Sequence, residues 1–313
     1  MYFIRKCLSS TRRTKQVGIE LGTYNTPLRY PGGKQKIAPF IAEIIKCNKL
    51  EGTEYVEPYA GGAGVAINLL VNGVVSSIRL NDSCLSVYSF WKTAIEMPEW
   101  LCRKILNSSL TIDEWKRQRE IIRNWSQHSR EEVGFATLYL NRCNRSGILS
   151  GGVIGGLSQT GKWKMDARFS RQEMIRRIET IASLRDTIFV TNLDAEEFLE
   201  IYSLTESRNS FIYCDPPYVK KADRLYLNHY GLEDHRRIAN TIQKLKNPYW
   251  VVSYDNNELI SDIYSKRKKF VYNLQYNARR AYLGSELFIF SDQLLVPGRS
   301  SIEPIDSALQ LVC

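Results

Sequence analysis

A chain of 313 residues, 43% of them hydrophobic, is long enough for one large α/β domain and a smaller one. No apolar run reaches the length that crosses a bilayer, and Arg5 and Lys6 leave only Tyr2-Phe3-Ile4 ahead of them, which is no secretory core. The net charge is +10, and Leu101 to Arg185 alone carries 16 Lys and Arg against 8 Asp and Glu, so the basic excess sits in the middle third, as in a polyanion-binding insertion.

Seven cysteines with no CxxC pair, and three histidines far apart, argue against a zinc site and a disulfide framework and for a reducing cytoplasm. Residues 1–24 read as a basic, solvated extension. Residues 27–34, Pro-Leu-Arg-Tyr-Pro-Gly-Gly-Lys, form a fixed loop before a helix from about Gln35 to Cys47. Its Tyr30, Gly33 and Lys34 can pack a ligand ring and reach an anion at a helix start.

Tyr55-Val56-Glu57-Pro58-Tyr59-Ala60-Gly61-Gly62 then reads as a strand and a tight glycine turn ahead of an apolar helix, the opening of a nucleotide-type βα unit. Glu57 ends that strand with a carboxylate, which repels pyrophosphate and suits a cationic ligand. A second strand closes on Asp82, placed either to bind ribose hydroxyls or to cap the next helix.

Helical patterns cover roughly 84–95, 98–107, 111–124 and 131–142, a run that breaks the βα alternation and marks residues 98–183 as an insertion. A polar, glycine-rich loop or hairpin follows, running to Lys162-Trp163-Lys164. Arg145, Lys162 and Lys164 can neutralise phosphates or read guanine edges, and Asn141 or Asn144 can read adenine. The α/β pattern resumes with a helix from Arg171 and a strand 187–191, after which Asp194 stands at a strand's carboxyl end, where it can cap the helix from Ala195.

Phe211-Ile212-Tyr213-Cys214 reads as a buried parallel strand, and Asp215-Pro216-Pro217-Tyr218 ends it, since proline cannot continue a ladder. Asp215 therefore stands at the sheet's carboxyl edge, where open α/β sheets place their ligands. The carboxylate and the Pro216 carbonyl can accept both N–H bonds of a planar amine, Pro217 stiffens the turn, and Tyr218 offers a flat face for a base. Cys214 lies in the apolar strand and reads as a structural thiol. A polar loop, 219–228, reads as a gate; a helix 232–246 carries His235, which reads as a surface or packing residue. Strands at 249–254, 268–276 and 286–291 close the chain, the last two separated by Arg279, Arg280 and Gly284.

Asp215-Pro216-Pro217-Tyr218 resembles the catalytic motif of amino-group DNA methyltransferases. The Pro27–Lys34 loop and the Glu57–Gly62 block resemble the cofactor motifs of the Dam-like, D12-class adenine-N6 enzymes, with Tyr59 where Phe is usual. Leu140-Asn141-Arg142 resembles the entry to their recognition hairpin, although Ser146-Gly147 and a Gly-Gly-Val-Ile-Gly-Gly stretch replace the family's usual elements there, which leaves the recognised sequence open. The similarity covers about residues 24–295, in the family's motif order.

The resemblance implies a Rossmann-like seven-stranded methyltransferase sheet. Residues 25–97 and 184–313 are then the catalytic domain and 98–183 an inserted helical target-recognition domain. It implies S-adenosylmethionine as cofactor, held by Tyr30, Gly33, Lys34, Glu57, Pro58, Ala60, Gly61, Gly62, Asp82, Asp194 and Asp215, with Asp194 on the adenine amine. It further implies transfer to adenine N6 in flipped-out duplex DNA by Asp215, Pro216, Pro217 and Tyr218, with no metal. Asn141, Arg142, Asn144, Arg145, Lys162 and Lys164 are the expected DNA contacts. An RNA adenine methyltransferase and a silent DNA-binding subunit remain the alternatives, and the motifs name no partner nuclease or defence-system subunit.

Overall fold

A computed structural model of the chain describes residues 26–29, 34–205, 209–219, 230–277, 281–297 and 309–311. The N-terminal extension, Tyr30, Gly33, residues 220–228 of the expected gate, Arg279 and Arg280 lie outside the described residues.

The sheet is built from β1 (Glu54–Glu57), β2 (Ser77–Asn81), β3 (Ile188–Thr191), β4 (Ser210–Cys214), β5 (Trp250–Asp255), β6 (Lys268–Asn277), β7 (Ala281–Phe290) and β8 (Leu309–Leu311). Their order is β3-β2-β1-β4-β5-β7-β6-β8. The first five strands run parallel, and β7 is antiparallel to both β5 and β6. Seven of these are the expected strands. The eighth, three residues long, pairs with the outer edge of β6 and continues the ladder on an edge that would otherwise present open N–H and C=O groups. Gly284, expected between the closing strands, lies within β7 and pairs with Leu274.

Strand order reverses between β1 and β4: the chain leaves β1 toward β2 on one side and β4 toward β5 on the other. That switch point opens a crevice at the carboxyl ends of the two strands. Glu57 closes β1 and Asp215 follows β4, so the fold brings the two acidic motif residues to the rim of one crevice.

The pleat divides the strands between two cores, because alternate side chains point to opposite faces. Tyr55, Phe211, Tyr213, Val251, Phe288 and Phe290 enter one core together with α1 (Ala38–Cys47), α2 (Gly64–Val71) and α3 (Leu85–Glu96). Val56, Ile212, Cys214, Val252, Tyr254, Leu287 and Ile289 enter the other, against α8 (Ala195–Thr205) and α9 (Leu232–Gln243). The apolar runs read as strands therefore lack polar alternation for a simple reason: both faces are covered.

Between β2 and β3 lie α3, α4 (Pro98–Asn107), α5 (Ile112–Arg123), α6 (Arg130–Cys143) and α7 (Arg171–Ser183). The start signal at Thr111 is a cap, its hydroxyl accepting from Glu114 N at 3.2 Å, and α6 opens with a reciprocal Ser129–Glu132 capping box. Where α6 crosses α3, a Cβ on Gly134 would lie 2.4 Å from Thr93 Oγ1, so the two helices meet at a distance only glycine permits. Leu101, Ile105, Trp115, Phe135 and Ile178 of this helical block share one continuous apolar core with the sheet. Among the described residues no helix is long and apolar enough to cross a membrane.

Candidate active site

The turn after β4 sets Asp215 between two donors. Lys34 Nζ donates to Oδ2 at 3.1 Å and Ser253 Oγ, on the neighbouring β5, donates to Oδ1 at 2.8 Å. Ser253 is itself linked to Tyr213 OH at 2.7 Å. These contacts fix the carboxylate plane, which a lone solvated Asp at a Pro-Pro turn would not have. Tyr218 is buried and donates its hydroxyl to Glu286 Oε1 at 3.0 Å. Lys34 Nζ lies 4.8 Å from the Tyr218 ring centroid and 3.4 Å from Glu286 Oε1. One ammonium thus meets the Asp215 carboxylate, the Tyr218 ring and the Glu286 carboxylate, with Lys34 and Glu286 side chains only 5% and 1% exposed.

The loop after β1 forms a second cluster. Glu57 is buried, and its Oε1 accepts from Tyr55 OH at 3.0 Å and Ala66 N at 3.2 Å. Burial pushes its carboxyl up to about 8, against the pull of those two hydrogen bonds and with Asp215 adding to the rise. The glycine turn is held on all sides. Ala60 N donates to Asn81 O at 2.8 Å, Gly61 N to Asp82 Oδ2 at 2.8 Å, and Trp91 Nε1 to Gly61 O at 2.9 Å. Pro58 O accepts from Asn81 Nδ2 at 3.1 Å, and Gly62 is buried. Ala63 adopts a left-handed backbone at φ 46°, which places the amide end of α2 against this loop.

Asp82 is not the cap of α3, whose N-cap is Cys84; it stands two residues ahead and accepts from Cys84 N at 2.9 Å, while burial raises its carboxyl to about 6. Asp194 is exposed and caps α8, accepting from Glu196 N at 2.9 Å. Its loop lies beside Asp82, since Asn192 Nδ2 donates to Asp82 O at 2.7 Å.

The expected DNA contacts separate into two groups. Asn141 is buried, accepting from Arg29 N at 2.7 Å and donating to Arg29 O at 2.7 Å and Gly147 O at 2.9 Å. Asn144 is fully buried, accepting from Trp115 Nε1 at 2.7 Å and donating to Ile148 O and Leu149 O. Arg142 donates to the carbonyls of Thr26 and Pro27, and burial beside Arg177 and Arg29 lowers its guanidinium to about 9. These three build the loops rather than face outward: hydrogen-bonding groups that suit a base edge serve equally well to saturate a buried turn. Arg145, Lys162 and Lys164 are exposed, with Trp163 67% exposed among them. The glycine loop carrying them is closed by one antiparallel bridge, Asn144 to Val153, and by Gln159, which bonds Ile154 O, Gly156 O and Met165 N. Gly147 is required there, since its φ is +77° and a Cβ would stand 2.5 Å from Arg29 O.

Sequence reasoning missed Glu286, Ser253 and Tyr213. The available signal was a lone acid and a lone serine inside apolar strands that end up buried. Cys214 is buried and its thiol is pushed well up by burial, in keeping with a structural role. His235 is a packing residue, 1% exposed, edge-on to Tyr230 and Tyr254 and with its ring pushed down by burial. Among the described residues no group of three His, Cys, Asp or Glu side chains is placed to hold a metal ion.

A doubly wound sheet with an acid at each side of its switch point and an aromatic beside one of them has the crevice in which such sheets take nucleotide-type ligands. The family model for the D12 class N6 adenine-specific DNA methyltransferases matches residues 30–278, and the chain belongs to that family. Membership implies use of S-adenosylmethionine and a DNA substrate. Solved structures of similar shape include the rRNA methyltransferase aviRa from Streptomyces viridochromogenes at 1.5 Å, 9% identical over 84% of this chain and 86% of that one, with a TM-score of 0.40. A second structure of the same enzyme at 2.4 Å is 10% identical over 83% and 86%, with a TM-score of 0.36. Both are too distant to bear on the chemistry of this chain. No curated protein matches it.

Proposed function

We propose that the chain transfers a methyl group from S-adenosylmethionine to N6 of adenine in duplex DNA, with the target base swung out of the helix. The observation that carries this is the oriented carboxylate: Asp215 at the end of a buried parallel strand, held by Ser253, one turn from Tyr218. The residues around the glycine turn fit the cofactor. Glu57 is buried and Asp82 half-buried, and both carboxyls sit well above the usual range, so each gains from a nearby cation or hydroxyl donor. Glu57, Pro58, Ala60, Gly61, Gly62 and Asp82, with Tyr30, Gly33, Lys34 and Asp194, are the proposed holders, and the cofactor supplies an electrophilic methyl group.

Asp215 and the Pro216 carbonyl accept the two N–H bonds of the adenine amine, which turns the nitrogen lone pair away from them and toward the methyl carbon. Tyr218 stacks on the ring and Pro217 fixes the turn. As the new C–N bond forms, N6 gains positive charge, and the Asp215 carboxylate stabilises that charge and can accept the proton N6 sheds. Fixed geometry supplies the rest of the rate. Residues 98–183 present the DNA-facing surface through Arg145, Lys162 and Lys164, with Asn141, Arg142 and Asn144 holding the loop that carries them.

The test uses methyl-labelled S-adenosylmethionine with unmethylated duplex DNA and, separately, RNA, followed by digestion to nucleosides. Label in N6-methyldeoxyadenosine is the expected result. Label only in RNA overturns the substrate, and cofactor binding without transfer to either overturns the reaction.

A further inference from the structure

We propose that Glu286 is a positioning residue, a second seat onto which the Lys34 ammonium moves when the target amine takes its place on Asp215. This rests on the methyl-transfer reading above and goes beyond its motif residues, since β7 lies outside all of them.

Three observations meet at Lys34. Its ammonium donates to Asp215 Oδ2, the oxygen the target amine needs, and it lies over the face of Tyr218, where the target ring is to stack. Both places have to be surrendered for the reaction. The side chain is 5% exposed, so a retreat to bulk water requires the site to open, whereas Glu286 Oε1 stands 3.4 Å away. The seat is built for a cation: Glu286 is 1% exposed, and its Oε1 stands within ion-pair distance of the Lys34 ammonium, so the charge of this buried carboxylate is balanced by an ammonium. Register explains how it comes to be there. β5 and β7 pair antiparallel with Asp255 opposite Glu286 and Ser253 opposite Phe288, which carries a distal strand's acid to the rim holding Asp215.

The move matters because N6 becomes positive as the new bond forms. An ammonium left on Asp215 opposes that charge across a few ångströms of weakly screened interior; the same ammonium paired with Glu286 is neutralised, and Asp215 presents its full charge to N6. Glu286 also anchors the Tyr218 hydroxyl, so the cation and the stacking ring share one acceptor.

Glu286→Gln keeps an oxygen for Tyr218 and removes the charge. Single-turnover methylation of duplex DNA by the full chain is expected to slow by about tenfold or more, while the S-adenosylmethionine Kd stays within about twofold. Glu286→Asp, which keeps the charge, restores most of the rate. In a Lys34→Met background the same Glu286→Gln change is expected to cost less than about twofold, because no cation remains to be reseated. Tyr218→Phe reports the anchor alone. A wild-type rate in Glu286→Gln, or costs that simply add in the double variant, overturns the proposal while leaving the methyltransferase reading intact. A wild-type chain that marks no DNA overturns both.

Discussion

The rim of the sheet and the glycine loop of residues 147–164 are built on opposite terms. At the rim, acids are buried or half-buried and held by protein: Asp215 by Lys34 and Ser253, Glu57 by Tyr55 and the Ala66 amide, Asp82 by two backbone amides. Where α6 runs into the loop the polar residues divide. Asn141 and Asn144 are buried and saturated, whereas Arg145, Lys162, Trp163 and Lys164 face solvent. The rim thus has the fixed polar groups that the proposed transfer needs, and the loop has a fixed backbone under exposed cations, which suits a phosphate backbone read by charge. The two are joined at one side chain, since Asn141 bonds both Gly147 of the loop and Arg29, five residues before Lys34.

The sharpest break of this contrast removes the rim's central acid. Asp215→Ala is expected to lower turnover by at least about a hundredfold, because it deletes the acceptor proposed to orient the amine and offset the charge on N6. Radiolabel transfer at saturating DNA measures it; near-normal turnover would sink the mechanism.

Asn144→Ala tests the opposite claim, that the loop's buried amides are structural. It strips the partner from the Trp115 indole and from two carbonyls, so unfolding free energy is expected to fall by about 1–3 kcal/mol, read by denaturant titration. Were Asn144 a base reader instead, the variant would keep its stability and lose only DNA binding.

What the sequence made legible follows the same division. Strands covered on both faces were readable as apolar runs, and the glycine and proline punctuation around Glu57 and Asp215 marked where each ended. Glu286 was not readable, because a single acid in an antiparallel strand looks like a solvent-facing residue until the β5–β7 register is known. The asparagines misled for a related reason: Asn141 and Asn144 carry groups that fit adenine, and the residues that saturate them, Trp115 and Arg29, are 29 and 112 positions away. Asp194 was read with both roles open, and its bond to the Glu196 amide gives the capping one. The short helix Glu258–Ile263 and β8 went unforeseen, being too brief for a periodic pattern.

Two acids of the rim carry a pH signature. Glu57 is raised from 4.5 to about 8 and Asp82 from 3.8 to about 6, both first by burial. A carboxyl raised on folding leaves the folded state fully stable where it is protonated in both states, and that stability is lost as pH climbs through the window between the two values. Without cofactor, stability is therefore expected to decline from about pH 4 to pH 8, by at most about 1.4 kcal/mol per unit for each group titrating. Glu57→Gln flattens the upper part of that slope in thermal melts at stepped pH. A melt curve of the parent that is flat or rising across this window would contradict carboxyls raised by burial at Glu57 and Asp82.

The smallest expected effect belongs to the loop's cations, and it separates positioning from charge. Lys162 and Lys164 are exposed on a backbone fixed by Gln159, with Trp163 between them, so replacing both by alanine leaves the fold and the cofactor site untouched. If each neutralises one phosphate, the double variant's plot of log affinity against log salt is shallower by about 2, one unit per contact. Binding at moderate salt weakens by about tenfold, evenly across DNA sequences, and the single-turnover rate at saturating DNA stays at the parent value. Titrations of a fluorescent duplex at several salt concentrations measure the slope. An unchanged slope would move the phosphate contacts elsewhere on the basic middle third, and a changed sequence preference would make these lysines base readers rather than charge contacts.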